Sequence, residues 1–260
     1  MGNCCFKQKQ RNNYELIRTL NGSNRTMYIA KDTFIDEYVI LKELIRNPVT
    51  KELNKEMEIL SVCNNDFIIK FFGIYEMDNI LYNIIEYNEG VDLYDKFIDN
   101  NNINEFILKD ISYQIGLGLQ YLKQMGIIHR DIKPENIIID YHGNIKIIDF
   151  DLALFYNEEN PIYPAGTLDY IAPELLEKKK SHYCNDIWSM GVTLFVIAYD
   201  AYPYIYNNED NKYYFNKLIT KAELNKYSPQ LKELMKKLLK KDFNERLDID
   251  SFLSDNWFMK

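Results

Sequence analysis

The chain has 260 residues, a length that suits one compact domain or two packed lobes rather than several independent domains. Its composition, 47% hydrophobic and 27% charged residues, is that of an ordinary soluble globular protein. The formal net charge of −8 argues against a nucleic-acid partner, because non-specific binding of that kind requires Lys and Arg to neutralise phosphates.

Membrane-spanning and secretory sequences are not evident. No apolar run is long enough to cross a membrane, and the first residues lack the apolar core of a signal peptide. The four cysteines do not form a disulfide framework in a chain of this size. We therefore expect a cytoplasmic protein with reduced cysteines.

The first part of the chain is predicted to be rich in strands. Residues 1–13 are polar and basic, and we interpret them as a flexible arm. A helix is predicted over residues 49–63, because Leu53, Met57 and Leu60 share one helical face. Strands are predicted over the short β-type runs 14–20, 27–30, 38–41, 67–75 and 80–86.

The pattern becomes helical after Gly90. Apolar residues recur at helical spacing over residues 104–125, and Gly126 follows as a helix-terminating glycine. Further helices are predicted over residues 186–199, 229–240 and 249–254. We therefore expect an α+β fold with two lobes. These are a small β-rich N-terminal lobe over about residues 14–86, a hinge at about 86–90, and a larger, mostly helical C-terminal lobe over about 91–260.

The most informative segment spans residues 129–136 and reads His-Arg-Asp-Ile-Lys-Pro-Glu-Asn. A chance match to eight ordered positions is improbable. With the other motifs between Tyr14 and Phe258, this segment resembles the eukaryotic protein kinases, serine/threonine type. The resemblance implies a bilobal kinase fold over residues 14–260, in which ATP phosphorylates hydroxyl groups of a protein substrate.

The resemblance also assigns roles to residues of the C-terminal lobe. Asp131 matches the catalytic base, and Lys133 matches the lysine that meets the transferred phosphate. Asn136 and Asp149 match the ligands of Mg²⁺, with Mn²⁺ as an alternative ion. Carboxylate and amide oxygens suit such hard cations, and phosphoryl transfer depends mainly on this kind of positioning and charge neutralisation.

In the N-terminal lobe the resemblance implies a site for ATP. Lys42 matches the lysine that pairs with the phosphates, and Glu56 matches the helix glutamate that orients it. The expected contacts with adenine and with the phosphates come from Gly22, Ser23, Ile40, Ile85, Glu86 and Asn88.

Three positions depart from the family pattern. The glycine-rich loop keeps only Gly22, Ile40 stands where a small alanine is usual, and Asp151 stands where glycine is usual. A side chain at position 151 removes the backbone freedom that glycine gives. These departures favour an alternative, a membrane-tethered pseudokinase scaffold with weak or no phosphotransfer.

Regulation and substrate preference are suggested by charged residues. Thr167 lies near the end of the activation segment, and we expect Glu158 or Glu159 to contact Arg130 in place of a phosphorylated residue. Asp186 is expected to support the catalytic loop, and Glu174 to pair with Arg246. Acidic residues that some kinases use to bind arginines upstream of the target hydroxyl are matched by Asp92 and Glu135.

The N-terminus resembles dual-acylation sequences. Gly2 would carry myristate after removal of Met1, and Cys4 or Cys5 would carry palmitate. Because one myristoyl chain binds a membrane only marginally, the cysteines and the basic residues that follow would supply the second signal. We therefore expect the protein at the cytoplasmic face of a membrane.

Overall fold

A computed structural model describes residues 14–20, 26–44, 55–98, 103–156, 165–177, 180–207, 212–215 and 226–259. The chain divides into two compact units, Met1–Glu89 and Gly90–Lys260, each described here by itself. The predicted arm, Gly22, Ser23, Glu158 and Glu159 lie outside the described residues.

The first unit contains an antiparallel sheet of five strands in the order β1-β2-β3-β5-β4, with one helix. The strands are β1 Tyr14–Leu20, β2 Met27–Asp32, β3 Glu37–Glu43, β4 Phe71–Met77 and β5 Ile80–Glu86, and the helix is α1 Lys55–Val62. Val39 and Leu41 on β3 point to one face of the sheet, where they pack with Ala30 and Ile84 in a buried cluster. Lys42 therefore projects from the opposite face.

The second unit is mainly helical. Its helices are α2 Leu93–Phe97, α3 Glu105–Gln124, α4 Pro173–Leu176, α5 Tyr183–Tyr199, α6 Pro229–Leu238 and α7 Ile249–Leu253. Its short strands are β6 Val91–Asp92, β7 Ile127–Ile128, β8 Ile137–Ile139, β9 Ile145–Ile147, β10 Leu154–Phe155, β11 Tyr204–Asn207 and β12 Lys212–Phe215. They form the sheets β6-β8-β9, β7-β10 and β11-β12.

The helix boundaries follow from local hydrogen bonds. The Asn104 side chain caps α3 by accepting from Ile107 N, and Gly126 follows the helix at a φ of 72°. Every residue of α5 from Asn185 to Tyr199 is buried, so this helix forms the centre of the unit.

Two predicted element starts, those of α5 and β4, differ from the structure by three or more residues. Helix α5 begins at Tyr183 rather than at residue 186, because the His182 ring accepts from Cys184 N and Asn185 bonds back to His182 N. Strand β4 begins at Phe71 rather than at residue 67, because Asn65 bonds the backbone N–H of Phe67 in a turn. Among the described residues, no helix is both long and apolar enough to span a membrane.

Candidate active site

In the first unit, Lys42 and Glu56 form a buried ion pair. Lys42 Nζ lies 2.7 Å from Glu56 Oε1, and the two residues are only 6% and 1% exposed. Exposed ion pairs contribute little to stability, whereas a buried charge requires a partner and further hydrogen bonds. The pair therefore fixes the lysine at the end of β3 to helix α1.

A third polar residue, Asn83, was missed by the sequence reasoning. It lies directly opposite Lys42 on β5, is fully buried, and donates from Nδ2 to Glu56 Oε2 over 3.4 Å. The available signal was an amide within the apolar run Ile80–Glu86, where a strand with two buried faces usually carries aliphatic residues.

The residues predicted to contact adenine lie on neighbouring strands. Ile40 and Ile85 are directly paired across β3 and β5, and both are partly buried. Glu86 continues β5 and accepts from Lys70 N through Oε2 at 3.1 Å. Asn88 follows the strand and is also partly buried. Two β-branched side chains thus stand side by side at the position expected to limit the adenine pocket.

In the second unit, Asp186 holds the backbone of the segment that carries Asp131. Its two carboxylate oxygens accept from His129 N at 2.8 Å and from Arg130 N at 2.9 Å. Arg130 has a φ of 72°, a left-handed conformation that needs such support. Burial raises the pKa of Asp186, and the two N–H donors together with the nearby His129 and Arg130 oppose that rise.

Asp131 is surrounded by hydrogen-bond donors. Its Oδ1 accepts from the backbone N of Thr167 at 2.9 Å and from Thr167 Oγ1 at 3.0 Å. Its Oδ2 accepts from Asn136 Nδ2 at 2.9 Å and lies 2.9 Å from Lys133 Nζ. Lys133 also donates to Thr167 Oγ1 at 2.6 Å. The Asp131 carboxylate therefore contacts the hydroxyl group of Thr167, and the Lys133 ammonium neutralises the charge of that carboxylate.

The donor atoms around Asn136 fit a hard cation. Asn136 donates from Nδ2 to Asp131 O at 2.8 Å as well as to Oδ2, which turns its amide oxygen away from Asp131. Ile148 N donates to Asn136 O at 2.9 Å, and Asp149 is the next residue along the chain. Asn136 offers an amide oxygen and Asp149 a carboxylate, which are ligands of the kind that Mg²⁺ prefers.

The protein kinase domain family matches residues 14–258 of the chain. The chain belongs to the protein kinase family.

Three kinases illustrate the similarity. A probable myosin light chain kinase from Dictyostelium discoideum is 35% identical over 228 residues, which cover 84% of this chain and 47% of that protein. The cAMP-dependent protein kinase type 3 from Saccharomyces cerevisiae is 31% identical, with coverage of 90% and 60%. CBL-interacting serine/threonine-protein kinase 8 from Arabidopsis thaliana is 30% identical, with coverage of 95% and 58%.

The chain spans about half to six tenths of the length of these relatives. The family match confirms the predicted α+β kinase fold, with a sheet-rich first part and a helical second part. It also identifies the chain as a protein kinase domain, and protein kinases in general use ATP and divalent metal ions.

In this kinase domain, Asp151 does not need the freedom of a glycine. Asp149 has a φ of 61°, but Asp151 does not have a positive φ, so a side chain there meets no left-handed backbone strain. Phe150, between them, is fully buried and packs edge-on against His129, with ring centroids 4.6 Å apart. The departure at position 151 therefore changes the local charge without straining the backbone.

The backbone just before Thr167 does require a glycine. Gly166 has a φ of 109°, and a Cβ at this position would lie 2.5 Å from Arg130 O. The segment at Gly166 therefore approaches the backbone of Arg130 closely, which brings Thr167 to Asp131.

A buried ion pair anchors the segment that follows. Arg246 donates to both carboxylate oxygens of Glu174, at 2.6 and 2.9 Å, and Asn185 donates to the same carboxylate at 2.6 Å. The Arg246 guanidinium also stacks over Trp188 at 5.1 Å from the ring centroid. The Arg246–Glu174 ion pair is bidentate, and two parallel hydrogen bonds make it stronger and fix its orientation.

The two predicted acidic substrate contacts are in different environments. Asp92 caps α2 by accepting from Asp95 N through Oδ1 at 2.8 Å, and burial raises its pKa. Glu135 is exposed and lies in the short 3₁₀ helix Pro134–Asn136. The expected partners of Arg130, Glu158 and Glu159, lie outside the described residues.

Proposed function

We propose that this chain is an ATP-dependent serine/threonine protein kinase in which Asp131 is the catalytic base. The observation that carries the proposal is the contact between Thr167 Oγ1 and Asp131 Oδ1 at 3.0 Å. A hydroxyl of the same type as the substrate's already donates to this carboxylate, and this distance is within the reach that general-base catalysis requires.

In the proposed mechanism the substrate hydroxyl donates to the carboxylate of Asp131, which keeps its hydrogen bond from Thr167 Oγ1. Lys133, whose Nζ lies 2.9 Å from Asp131 Oδ2, stabilises the negative charge that develops during transfer. Asn136 and Asp149 would hold Mg²⁺, which neutralises the phosphate charge when it is bound. Positioned general-base catalysis of this kind contributes roughly 10²- to 10⁴-fold to the rate.

In the first unit, Lys42 would pair with the phosphates of ATP, and Glu56 would orient it. The carboxylate of Glu56 holds the ammonium of Lys42 at 2.7 Å, so the lysine is oriented before any nucleotide binds. An oriented cation costs no reorganisation at the moment of reaction, which is why such a pair supports phosphoryl transfer.

The test is transfer of radiolabelled phosphate from ATP to a generic basic protein, with Mg²⁺ and separately with Mn²⁺. We expect transfer by the parent and loss of at least about 100-fold in the Asp131→Asn variant, since the base is removed. Equal signals from parent and variant would refute the proposal, because the signal would then come from a contaminant.

A pseudokinase scaffold is the second candidate, and Ile40 is the observation that favours it. Ile40 lies opposite Ile85 in the sheet, at a position where the family usually has alanine, and its larger side chain would narrow the space for adenine. If this reading is correct, the parent will show no Mg·ATP-dependent thermal stabilisation, and Ile40→Ala will restore it.

For the substrate we propose a preference for basic residues upstream of the target Ser or Thr. Burial raises the pKa of the partly buried Asp92, and a substrate arginine beside its carboxylate would favour the ionised form. A peptide array should show selection for Arg or Lys that weakens in Asp92→Asn and Glu135→Gln. A preference for acidic or proline-containing sites would exclude this assignment.

We propose that the activation segment is ordered without phosphorylation through Arg130. Between Asp151 and Gly166 the sequence has no Ser or Thr, and Glu158 and Glu159 supply carboxylates that could take the place of a phosphate. The Glu158→Gln, Glu159→Gln double variant should lose most of its activity. Full activity would show that these residues are solvated loop charges.

We propose that acylation at Gly2 and at Cys4 or Cys5 brings the kinase to the cytoplasmic face of a membrane. The support is the sequence Met-Gly-Asn-Cys-Cys followed by Lys7, Lys9 and Arg11. A Gly2→Ala variant should move from the membrane to the soluble fraction of a cell lysate. An unchanged distribution would remove the support for acylation.

A further inference from the structure

The Lys42–Glu56 pair has an additional partner that comes from a third element of the sheet unit. Asn83 lies on β5 directly opposite Lys42 on β3, and its amide nitrogen is 3.4 Å from Glu56 Oε2, the oxygen that does not meet Lys42. The distance is at the long end of the hydrogen-bond range. Glu56 thus receives Lys42 on one oxygen and Asn83 on the other.

The amide orientation is fixed by charge. If the Asn83 side chain were turned over, its oxygen would face a carboxylate oxygen of Glu56, and the two acceptors would repel each other. With nitrogen facing Glu56, Asn83 Oδ1 is fully buried and has no hydrogen-bond partner among the described residues. Buried acceptors are nearly always paired, so this position carries a stability penalty.

That penalty indicates that Asn83 is not present to stabilise the strand. The neighbouring residues of β5, Tyr82 and Ile84, are buried and hydrophobic, and leucine would fill the same volume without an unpaired acceptor. Local violations of packing rules occur mainly where function requires them. What asparagine provides at this position, and leucine would not, is a hydrogen-bond donor to the carboxylate of Glu56, a residue that is only 1% exposed.

We propose that Asn83 is a positioning residue that holds Glu56 in the orientation in which it pairs with Lys42. A buried ion pair is favourable only when further hydrogen bonds satisfy the remaining oxygens, and Asn83 satisfies one of them. Because Asn83 and Lys42 are cross-strand partners, the donor moves with the strand that carries the lysine. Its consequence for turnover rests on the proposed kinase activity, whereas its effect on Lys42 does not.

The direct test measures how fast Lys42 reacts with a small amine-reactive ester, quantified by mass spectrometry. A buried ammonium that loses its carboxylate partner is deprotonated more readily. We therefore expect Asn83→Leu to raise the labelling rate of Lys42 on the order of tenfold, the factor associated with losing one hydrogen bond to a charged group. Lys70, on the same unit but outside the pair, is the internal control and should label at the parental rate.

A double-mutant cycle separates positioning from packing. In a Glu56→Gln background, Asn83→Leu should change Lys42 labelling by less than about twofold, because contacting residues lose their coupling when one partner is neutralised. Thermal unfolding checks that Asn83→Leu is folded at the labelling temperature, so that a faster labelling rate does not come from unfolding.

The outcomes separate this inference from the proposed function. If Asn83→Leu labels at the parental rate, or if its effect is equal in both backgrounds, Asn83 is only a packing residue. If labelling changes as expected and the parent still transfers no phosphate, the positioning role stands and the kinase activity fails. If the parent is active, turnover should fall with Asn83→Leu by a similar factor while the KM for ATP changes less.

Discussion

Arg246 and Glu174 form a bidentate ion pair across 72 residues of sequence, and both side chains are buried. Arg246 also donates to the backbone oxygens of Lys240 and Cys184, so one guanidinium connects three segments of the second unit. The pair holds α4, which follows Thr167 closely, against the start of α5. The pair therefore links the segment that follows Thr167 to the centre of the unit.

Removal of Arg246 is therefore expected to destabilise the domain. Arg246→Ala leaves the Glu174 carboxylate buried without its cation, a change that typically costs about 3–5 kcal/mol in the free energy of unfolding. Urea unfolding followed by circular dichroism measures this loss. The matched control is Lys236→Ala, which removes an exposed lysine from its pair with the exposed Glu233 and should change stability little. Equal effects from the two variants would contradict the structural role of Arg246.

Gly166 is predicted to be irreplaceable for steric reasons. Gly166→Ala places a Cβ at 2.5 Å from Arg130 O and forces a residue with a side chain into a φ of 109°. The backbone strain alone costs on the order of 1–3 kcal/mol, and the clash displaces Thr167 from Asp131. Gly143→Ala is the control, because Gly143 also has a positive φ but a Cβ there has nothing within 4 Å.

The measurement for this pair of variants is phosphotransfer alongside thermal unfolding. Gly143→Ala should lose stability but keep its activity at a temperature where it is folded, whereas Gly166→Ala should lose both. If Gly166→Ala retained full activity, the close approach of its backbone to Arg130 would have no role in the site.

Acidification is expected to weaken the start of α5 through His182. Burial lowers the pKa of His182, with Lys123 acting in the same direction and Glu174 opposing it. The unfolded chain therefore binds the proton at a higher pH than the folded chain, so stability is complete above the ordinary histidine pKa and falls as pH decreases. The structural reason is that His182 Nδ1 accepts from Cys184 N, and a protonated ring cannot accept.

The variant that isolates this effect is His182→Asn, since asparagine caps helices well but does not titrate. Urea unfolding between about pH 7.5 and pH 5.5, a window around the ordinary histidine pKa, should show a smaller decline in stability for the variant than for the parent. Parallel curves would mean that His182 does not contribute to the pH dependence.

Much of the fold followed from the sequence because its signals are local or strongly ordered. The 20-residue helix α3 and strands β1 and β5 have periodic apolar residues and clear ends, and their predicted bounds agree closely with the structure. The start of α5 was harder, because its cap is a histidine, a residue that seldom signals a helix start.

The site was harder to predict where it depends on side-chain partners from distant elements. Motif order predicted that Lys42 would meet Glu56, but the donor from Asn83 depends on the register of β3 against β5, which a single sequence does not specify. Asp151 was expected to restrict the backbone, and its ordinary φ removes that concern. The charge that Asp151 adds beside Asp149 remains the physical difference from the family pattern.

Thr167 offers the most direct test of the site around Asp131, because its hydroxyl is the link between two proposed catalytic side chains. It donates to Asp131 Oδ1 at 3.0 Å and accepts from Lys133 Nζ at 2.6 Å. Thr167→Val keeps the shape and removes both hydrogen bonds, so Lys133 and Asp131 lose their common partner. Each lost bond to a charged group corresponds to about 1.5–3 kcal/mol, so we expect phosphotransfer to fall by at least about tenfold.

Thr167→Ser is the matched control, since it restores the hydroxyl without the methyl group, and it should keep most of the parental turnover. Steady-state kinetics with a basic peptide substrate distinguish the two variants. If kcat falls in Thr167→Val but not in Thr167→Ser, the hydroxyl group orients Asp131 and Lys133. Equal losses for serine and valine would mean instead that the methyl group of Thr167 packs the segment, and Asp131 would then be positioned by Asn136 and Lys133 without help from the hydroxyl.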